Sequence, residues 1–154
     1  MEPGKPSSGK EVDPRMHSAE HVLTATLIKL FGCDRPFTTH IEKKKSKADY
    51  RFDHELTPED MKRVENAVNE VIQSDLPVRE KFLSREEAEQ IYNLERLPAG
   101  SGDSVRIVCI GEYDACPCIG PHVKSTREIG TFRIVSTTCE SGTLRVRFKP
   151  EASG

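Results

Sequence analysis

No apolar run in this chain approaches the roughly 20 residues that a bilayer-crossing helix requires. Its N-terminal segment, MEPGKPSSGKEV, also has no apolar stretch of the kind a signal peptide needs. No membrane partner is expected, and the expected location is the cytoplasm. A disulfide framework is missing as well. The five cysteines (Cys33, Cys109, Cys116, Cys118 and Cys139) are an odd number without regular spacing. In a reducing compartment such residues are free thiols or metal ligands. Strong charge of one sign is absent too. The formal net charge is −2, so no global field draws the protein onto nucleic acid, and any such binding must rest on a local patch. One candidate is the run Lys43, Lys44, Lys45 and Lys47; another is Arg145, Arg147 and Lys149. A solvated hairpin tip is the simpler account of the lysine run on its own.

What is present suits one domain. A chain of 154 residues can bury a hydrophobic core, and no internal repeat or domain boundary interrupts it. Residues 1–12, rich in Gly, Pro, Ser and charge, read as a disordered tail. Asp13-Pro14 then starts a helix running to about Phe31, with Gly32 just past its end. Met16, Ala19, Leu23, Leu27 and Leu30 form its apolar face. A hairpin is expected next, with strands Phe37 to Glu42 and Asp49 to Asp53 around a lysine-rich turn. Thr57-Pro58-Glu59-Asp60 opens a second helix, buried through Met61, Val64, Val68, Val71 and Ile72. LPVREKFL alternates like a strand, and Ser84 caps a short helix. After a loop from Pro98 to Asp103, VRIVCIG reads as a buried strand leading into EYDACPCIGPH. TFRIVSTT and TLRVRFK close the chain around Glu140-Ser141-Gly142. Helices interspersed with antiparallel strands make the expected class α+β, a single domain with an antiparallel sheet packed against helices.

Two short elements carry chemistry. In His17-Ser-Ala-Glu-His21 the histidines lie four apart, so they stack on one helical face next to the apolar one. They are close enough to share a metal or flank a substrate, although two polar surface residues would show the same spacing. A zinc-protease motif needs Glu directly after the first His; here that position is Ser18, and Glu20 falls on a different face, which removes the protease reading. The second element is Cys118-Ile-Gly-Pro-His122. Three of the five histidines fall in these two segments, and the pair offers the His/Cys donor set that zinc prefers. His40 and His54 have no such company and read as surface or hairpin residues.

Together, H-S-A-E-H-V-L and, much later, C-I-G-P-H-V-K-S-T-R-E-I-G-T-F-R-I resemble the editing domain shared by alanyl-tRNA synthetase, threonyl-tRNA synthetase and free-standing AlaX proteins. The hairpin ending Tyr50-Arg51-Phe52-Asp53, the helix starting at Pro58 and the strands after Ile129-Gly130 agree with it. The resemblance runs from Asp13 to Lys149, and an editing domain over 13–154 is expected. It implies that His17, His21, Cys118 and His122 meet in one site, which surrounds zinc in many relatives and works without it in the bacterial threonyl enzyme. The implied reaction is hydrolysis of the ester joining a non-cognate amino acid to a tRNA acceptor end: Ser or Gly on the alanine tRNA, or Ser on the threonine tRNA. No aminoacylation domain is recognised, so editing in trans is the expectation.

The motif departs from the alanyl-type Cys-Gly-Gly-Thr-His at Ile119, Gly120 and Pro121. Gly-Pro-His is closer to the threonyl version, while Glu128-Ile129-Gly130-Thr131-Phe132 is alanyl-like. Cys116 stands where relatives commonly have an acid, and reads as a buried thiol or a fifth soft donor. Thr38 and Thr39 fall where relatives place polar pocket residues, and would equally serve as strand formers. With zinc on three ligands a fourth position stays open for water or substrate; with four ligands the site closes and the metal becomes structural. The alternative to a hydrolase is a catalytically inactive, zinc-stabilised tRNA- or protein-binding module with the same fold.

Overall fold

Asp13 caps the first helix as its place before Pro14 predicts: in a computed structural model its carboxylate accepts the Arg15 and Met16 amide hydrogens at 2.9 and 3.2 Å. The structure describes residues 13–92, 94 and 103–151. The tail over 1–12 and most of the loop placed at Pro98 to Asp103 lie outside the described residues.

Helix α1 (Pro14–Phe31) ends where Gly32 takes the left-handed conformation at φ 72° and returns its N–H to the Ile28 carbonyl. Helix α2 (Pro58–Gln73) begins with a capping box in which Thr57 and Asp60 bond reciprocally at 3.0 and 3.1 Å. Val64, Val68, Val71 and Ile72 are buried, with Met61 half-buried. Ser84 and Glu87 form a second box at the start of α3 (Arg85–Ile91).

The strands make two antiparallel sheets beside the helices, the α+β class expected. Strands β1 (Thr38–His40), β2 (Ser46–Arg51), β6 (Thr131–Glu140) and β7 (Thr143–Glu151) pair in the order β1-β2-β7-β6. Strands β3 (Val78–Ser84), β4 (Ser104–Ile110) and β5 (Asp114–Pro117) form the other. Strand β5 occupies the DACP segment, which the sequence left unassigned as a strand; its partner β4 supplies the ladder that four residues cannot provide alone. The first hairpin is shorter at β1 and starts earlier at β2 than its apolar pattern suggested. Lys47 therefore sits on a strand, and only Lys43, Lys44 and Lys45 occupy the turn. Ser141 and Gly142, with φ of 51° and 79°, make the two-residue connection between β6 and β7.

The main core lies between the four-stranded sheet (Tyr50, Phe132, Leu144, Val146 and Phe148) and the two long helices. A smaller core, Ala88, Val105 and Ile107, lies under the second sheet. Helix α1 meets α2, the turn Thr126–Ile129 and β5, so Met16 through Leu27 are all buried. The histidine face is therefore interior as well. Among the described residues no helix is long and apolar enough to cross a membrane.

Candidate active site

Helical spacing places the His17 and His21 rings 5.0 Å apart. Strand β5 then delivers the segment Cys118–His122 against that helix. His122 stacks on His17 at 4.1 Å and meets His21 edge-on at 4.6 Å. Cys118 Sγ lies 3.2 Å from His17 Nε2 and 3.5 Å from His122 Nε2. One donor atom from each of the four residues falls within 4.8 Å of the others. His40 and His54 are exposed and stay apart from this cluster.

Sequence reading missed what holds the segment in place. Arg106, on β4, donates from Nη1 to the carbonyls of Cys118 and Gly120 at 3.2 and 2.7 Å, and its Nε bonds Glu80 at 2.6 Å. Gly120 has φ of 105°, and a Cβ there would come 3.1 Å from His17 Cε1. Only glycine tolerates both the backbone and the approach. Ser18 accepts the Val123 amide hydrogen at 3.1 Å and is hydrogen-bonded to His122 Nδ1 at 2.9 Å. The Arg106 and Ser18 contacts join residues far apart in sequence, so no spacing pattern reveals them.

The outer nitrogens of the three imidazoles are all engaged. His17 Nδ1 is bonded to the Pro121 carbonyl at 3.1 Å, His122 Nδ1 to Ser18, and His21 Nδ1 to Cys116 Sγ at 3.4 Å with Asp114 Oδ2 3.5 Å away. Nε2 is thereby left for the cluster, the arrangement that orients metal-ligating histidines. Burial alone would raise the Cys118 thiol, but hydrogen bonds from His122, His17 and His21 bring it down to about 3. Burial, with the charges of His21 and His17, brings His122 down to about 4. A thiolate and a neutral imidazole are the forms that bind metal. His21 is raised well above its ordinary value: burial opposes this, but Cys116, Glu20 and Asp114 hold its proton. The donor set and its outer contacts fit a metal ion, whose binding would release the His21 proton.

A cavity of about 820 Å³ opens beside the cluster, lined by His17, His21, Cys116 and Cys118 among others. Thr39 lines it; Thr38, pointing the other way along β1, does not. Glu20 lines it too, so its assignment to a different face from the histidines is wrong. It stands three residues from His17, which is a neighbouring helical position. Cys116 is buried against His21, and Asp114, two residues earlier on the same side of β5, supplies an acid there. Asp114 is held below its ordinary value: burial opposes this, but its contacts with His21 and Arg35 outweigh it.

The two basic segments meet. Register places Lys47 opposite Arg147 and Asp49 opposite Arg145, and alternation turns these side chains away from the core. Arg145 is bonded to Asp49 through two contacts at 2.7 and 2.9 Å. Lys43, Lys44, Lys45 and Lys149 are exposed, and Lys47 and Arg147 are half-buried. Ser46 pins the lysine turn by exchanging hydrogen bonds with the Glu42 backbone at 2.8 and 2.9 Å.

Fold and site together define a two-sheet α+β domain with a largely buried cluster of three histidines and a cysteine beside a cavity. The family model described as the threonyl and alanyl tRNA synthetase second additional domain matches residues 105–147. The alanine–tRNA ligase of Fervidobacterium nodosum is 34% identical over 132 residues, covering 85% of this chain and 15% of that protein. That of Methanopyrus kandleri is 32% identical over 139 residues, covering 87% and 15%. The alanyl-tRNA editing protein AlaX-L of Pyrococcus horikoshii is 33% identical over 135 residues, covering 87% and 33%. The chain thus spans about a sixth of these ligases and a third of AlaX-L. It belongs to the threonyl and alanyl tRNA synthetase second additional domain family, as a domain of the AlaX type.

Proposed function

We propose that the chain is an aminoacyl-tRNA deacylase, hydrolysing the ester that joins a wrong amino acid to a tRNA acceptor end, with Ser or Gly on the alanine tRNA or Ser on the threonine tRNA as the substrates to test. The observation that carries this reading is the convergence of His17, His21, Cys118 and His122, from segments about a hundred residues apart, on the wall of a cavity. The name of the AlaX-L relative supports it.

An aminoacyl ester is already activated, so the site needs a positioned water, a proton acceptor and stabilisation of the developing oxyanion. Three of His17, His21, Cys118 and His122 would hold zinc with a fourth position open, and the metal when bound supplies Lewis acidity; all four at once would close the site. The chain's own residues do the rest. Arg106 and Ser18 fix the Cys118–His122 segment, so the rings do not reorganise during turnover. Without metal, His122 is the imidazole left neutral to take a proton, while His21 keeps its own among Cys116, Glu20 and Asp114. Thr39 on the cavity wall offers a hydroxyl to a serine side chain, and a polar contact of that kind discriminates more sharply than size alone. The basic outer face of the four-stranded sheet would meet acceptor-stem phosphates.

The test is deacylation of a panel of mischarged tRNAs: seryl- and glycyl-tRNA of the alanine type, seryl-tRNA of the threonine type, and the cognate species. Release of Ser or Gly with the cognate esters spared is the expected result. Binding of tRNA without deacylation of any member would overturn the hydrolase and leave a binding module.

A further inference from the structure

Glu20 lines the cavity, has no part in the chemistry proposed so far, and is buried to 6% exposure in the middle of α1. Its environment is built. Thr24, one turn on, donates from Oγ1 to Glu20 Oε2 at 2.6 Å. Thr24 Oγ1 also lies 2.8 Å from the Tyr50 hydroxyl, and because the Thr24 hydrogen is committed to Glu20, Tyr50 donates to Thr24. The chain of donors therefore runs one way, from Tyr50 in the core to Glu20 at the cavity wall, and fixes the carboxyl's orientation. Oε1 makes no hydrogen bond among the described residues; its nearest charged neighbour is His21 Nε2 at 3.9 Å, beyond hydrogen-bond reach. Arg35, a basic group lining the same cavity, is already bonded to Asp114. An acceptor on a cavity wall with no donor on the protein is served by water until a ligand brings a donor of its own.

We propose that Glu20 Oε1 receives the α-ammonium group of the aminoacyl ester. This rests on the deacylase reading and deepens it. Every aminoacyl ester has that ammonium whatever its side chain or tRNA, and it lies two bonds from the ester carbonyl carbon. An acceptor one residue from His21 would therefore bring the carbonyl over the His/Cys cluster. The ammonium–carboxylate contact is charge-assisted and desolvated, which makes it strong. Its consequence is selectivity of a second kind: esters whose amine is acylated, as in formylated or peptidyl species, lose the contact and place a bulky amide against Glu20, so they are spared.

The experiment uses two stable ligands, the serylamide of 3′-amino-3′-deoxyadenosine and its counterpart lacking the α-amine, titrated calorimetrically into the wild-type chain and Glu20→Gln. Glutamine keeps the size of the side chain and an oxygen for Thr24, but turns an amide N–H toward the cavity. The wild type is expected to prefer the amine by at least about tenfold, Glu20→Gln to show no preference, and N-acetyl-seryl-tRNA to resist the wild type. Equal affinity of the wild type for the two ligands, binding of neither, or retention of the preference in Glu20→Gln would overturn the assignment. If Glu20→Gln does not fold, the wild-type ligand pair and the N-acetyl ester decide alone. Seryl-tRNA turnover by the wild type separates the two ideas. Amine preference without turnover defeats the deacylase and keeps the Glu20 subsite; turnover without preference does the reverse.

Discussion

At the residue scale, the cluster is a unit rather than four separate contributions. Each imidazole is oriented by an outer partner, and Cys118 Sγ is held by the His17 and His122 rings. Removing any member leaves the rest without the geometry they share, so losses should be non-additive. Cys118→Ala and His21→Ala are each expected to nearly abolish seryl-tRNA deacylation, with the double variant costing little more. A folded His21→Ala chain with full activity would show that the cluster is structural. Gly120 makes a sharper case. Alanine there meets an unfavourable φ, costing on the order of 1–3 kcal/mol, and presses on His17. Gly120→Ala should lose activity out of proportion to its melting temperature, measured by comparing initial deacylation rates with thermal unfolding.

Elements bring together what no single stretch of chain can. In an isolated helix only one face of α1 would be interior, and the apolar set Met16, Ala19, Leu23 and Leu27 predicts that face. Burial of the opposite face comes from β5 and the segment after it, pieces about a hundred residues away that make polar contacts which apolar periodicity does not register. The basic face has the same origin. Lysines of the first hairpin and cations of β7 become neighbours only through the β2–β7 register. If this face binds acceptor-stem phosphates, Lys43, Lys44 and Lys45 changed together to Ala should weaken tRNA binding. The slope of log K against log salt should fall by about 0.7–0.9 per lost contact, while hydrolysis of a minimal aminoacyl ester stays unchanged. The pair Lys47 and Arg147 should behave alike. An unaltered slope would make the turn a solvated hairpin tip and no more.

For the whole molecule, the cluster ties the two sheets together through α1, so occupancy by a metal should be felt as global stability. Zinc at a hundred times its dissociation constant adds about 2.7 kcal/mol, or roughly 5–10 °C in melting temperature for a chain of this size. Elemental analysis should find up to one zinc per chain, and a chelator should reverse the gain. The gain should grow as pH rises, because every imidazole must be neutral to bind. No zinc after reconstitution at neutral pH, with deacylation retained, would leave the metal-free hydrolase. Zinc bound with no change in melting temperature would contradict the bridging position of the site.

The helices, their caps and the closing hairpin were legible because their signals are local. Asp13-Pro14, Thr57-Pro58 and Ser84 each satisfy backbone groups within one turn, and Ser141-Gly142 sets its own backbone. The four cluster residues were nameable from their type and spacing, with the family resemblance supplying their meeting. Strand β5 was not legible, since four residues have no pattern of their own and exist as a strand only against β4. Glu20 was misplaced for a related reason: helical spacing gives an angle around α1, whereas which angles face a cavity depends on what packs against the helix from elsewhere. Arg106, Ser18 and the Asp114–His21 contact likewise belong to the tertiary structure, because a hydrogen bond between residues distant in sequence leaves no periodicity for a single sequence to show.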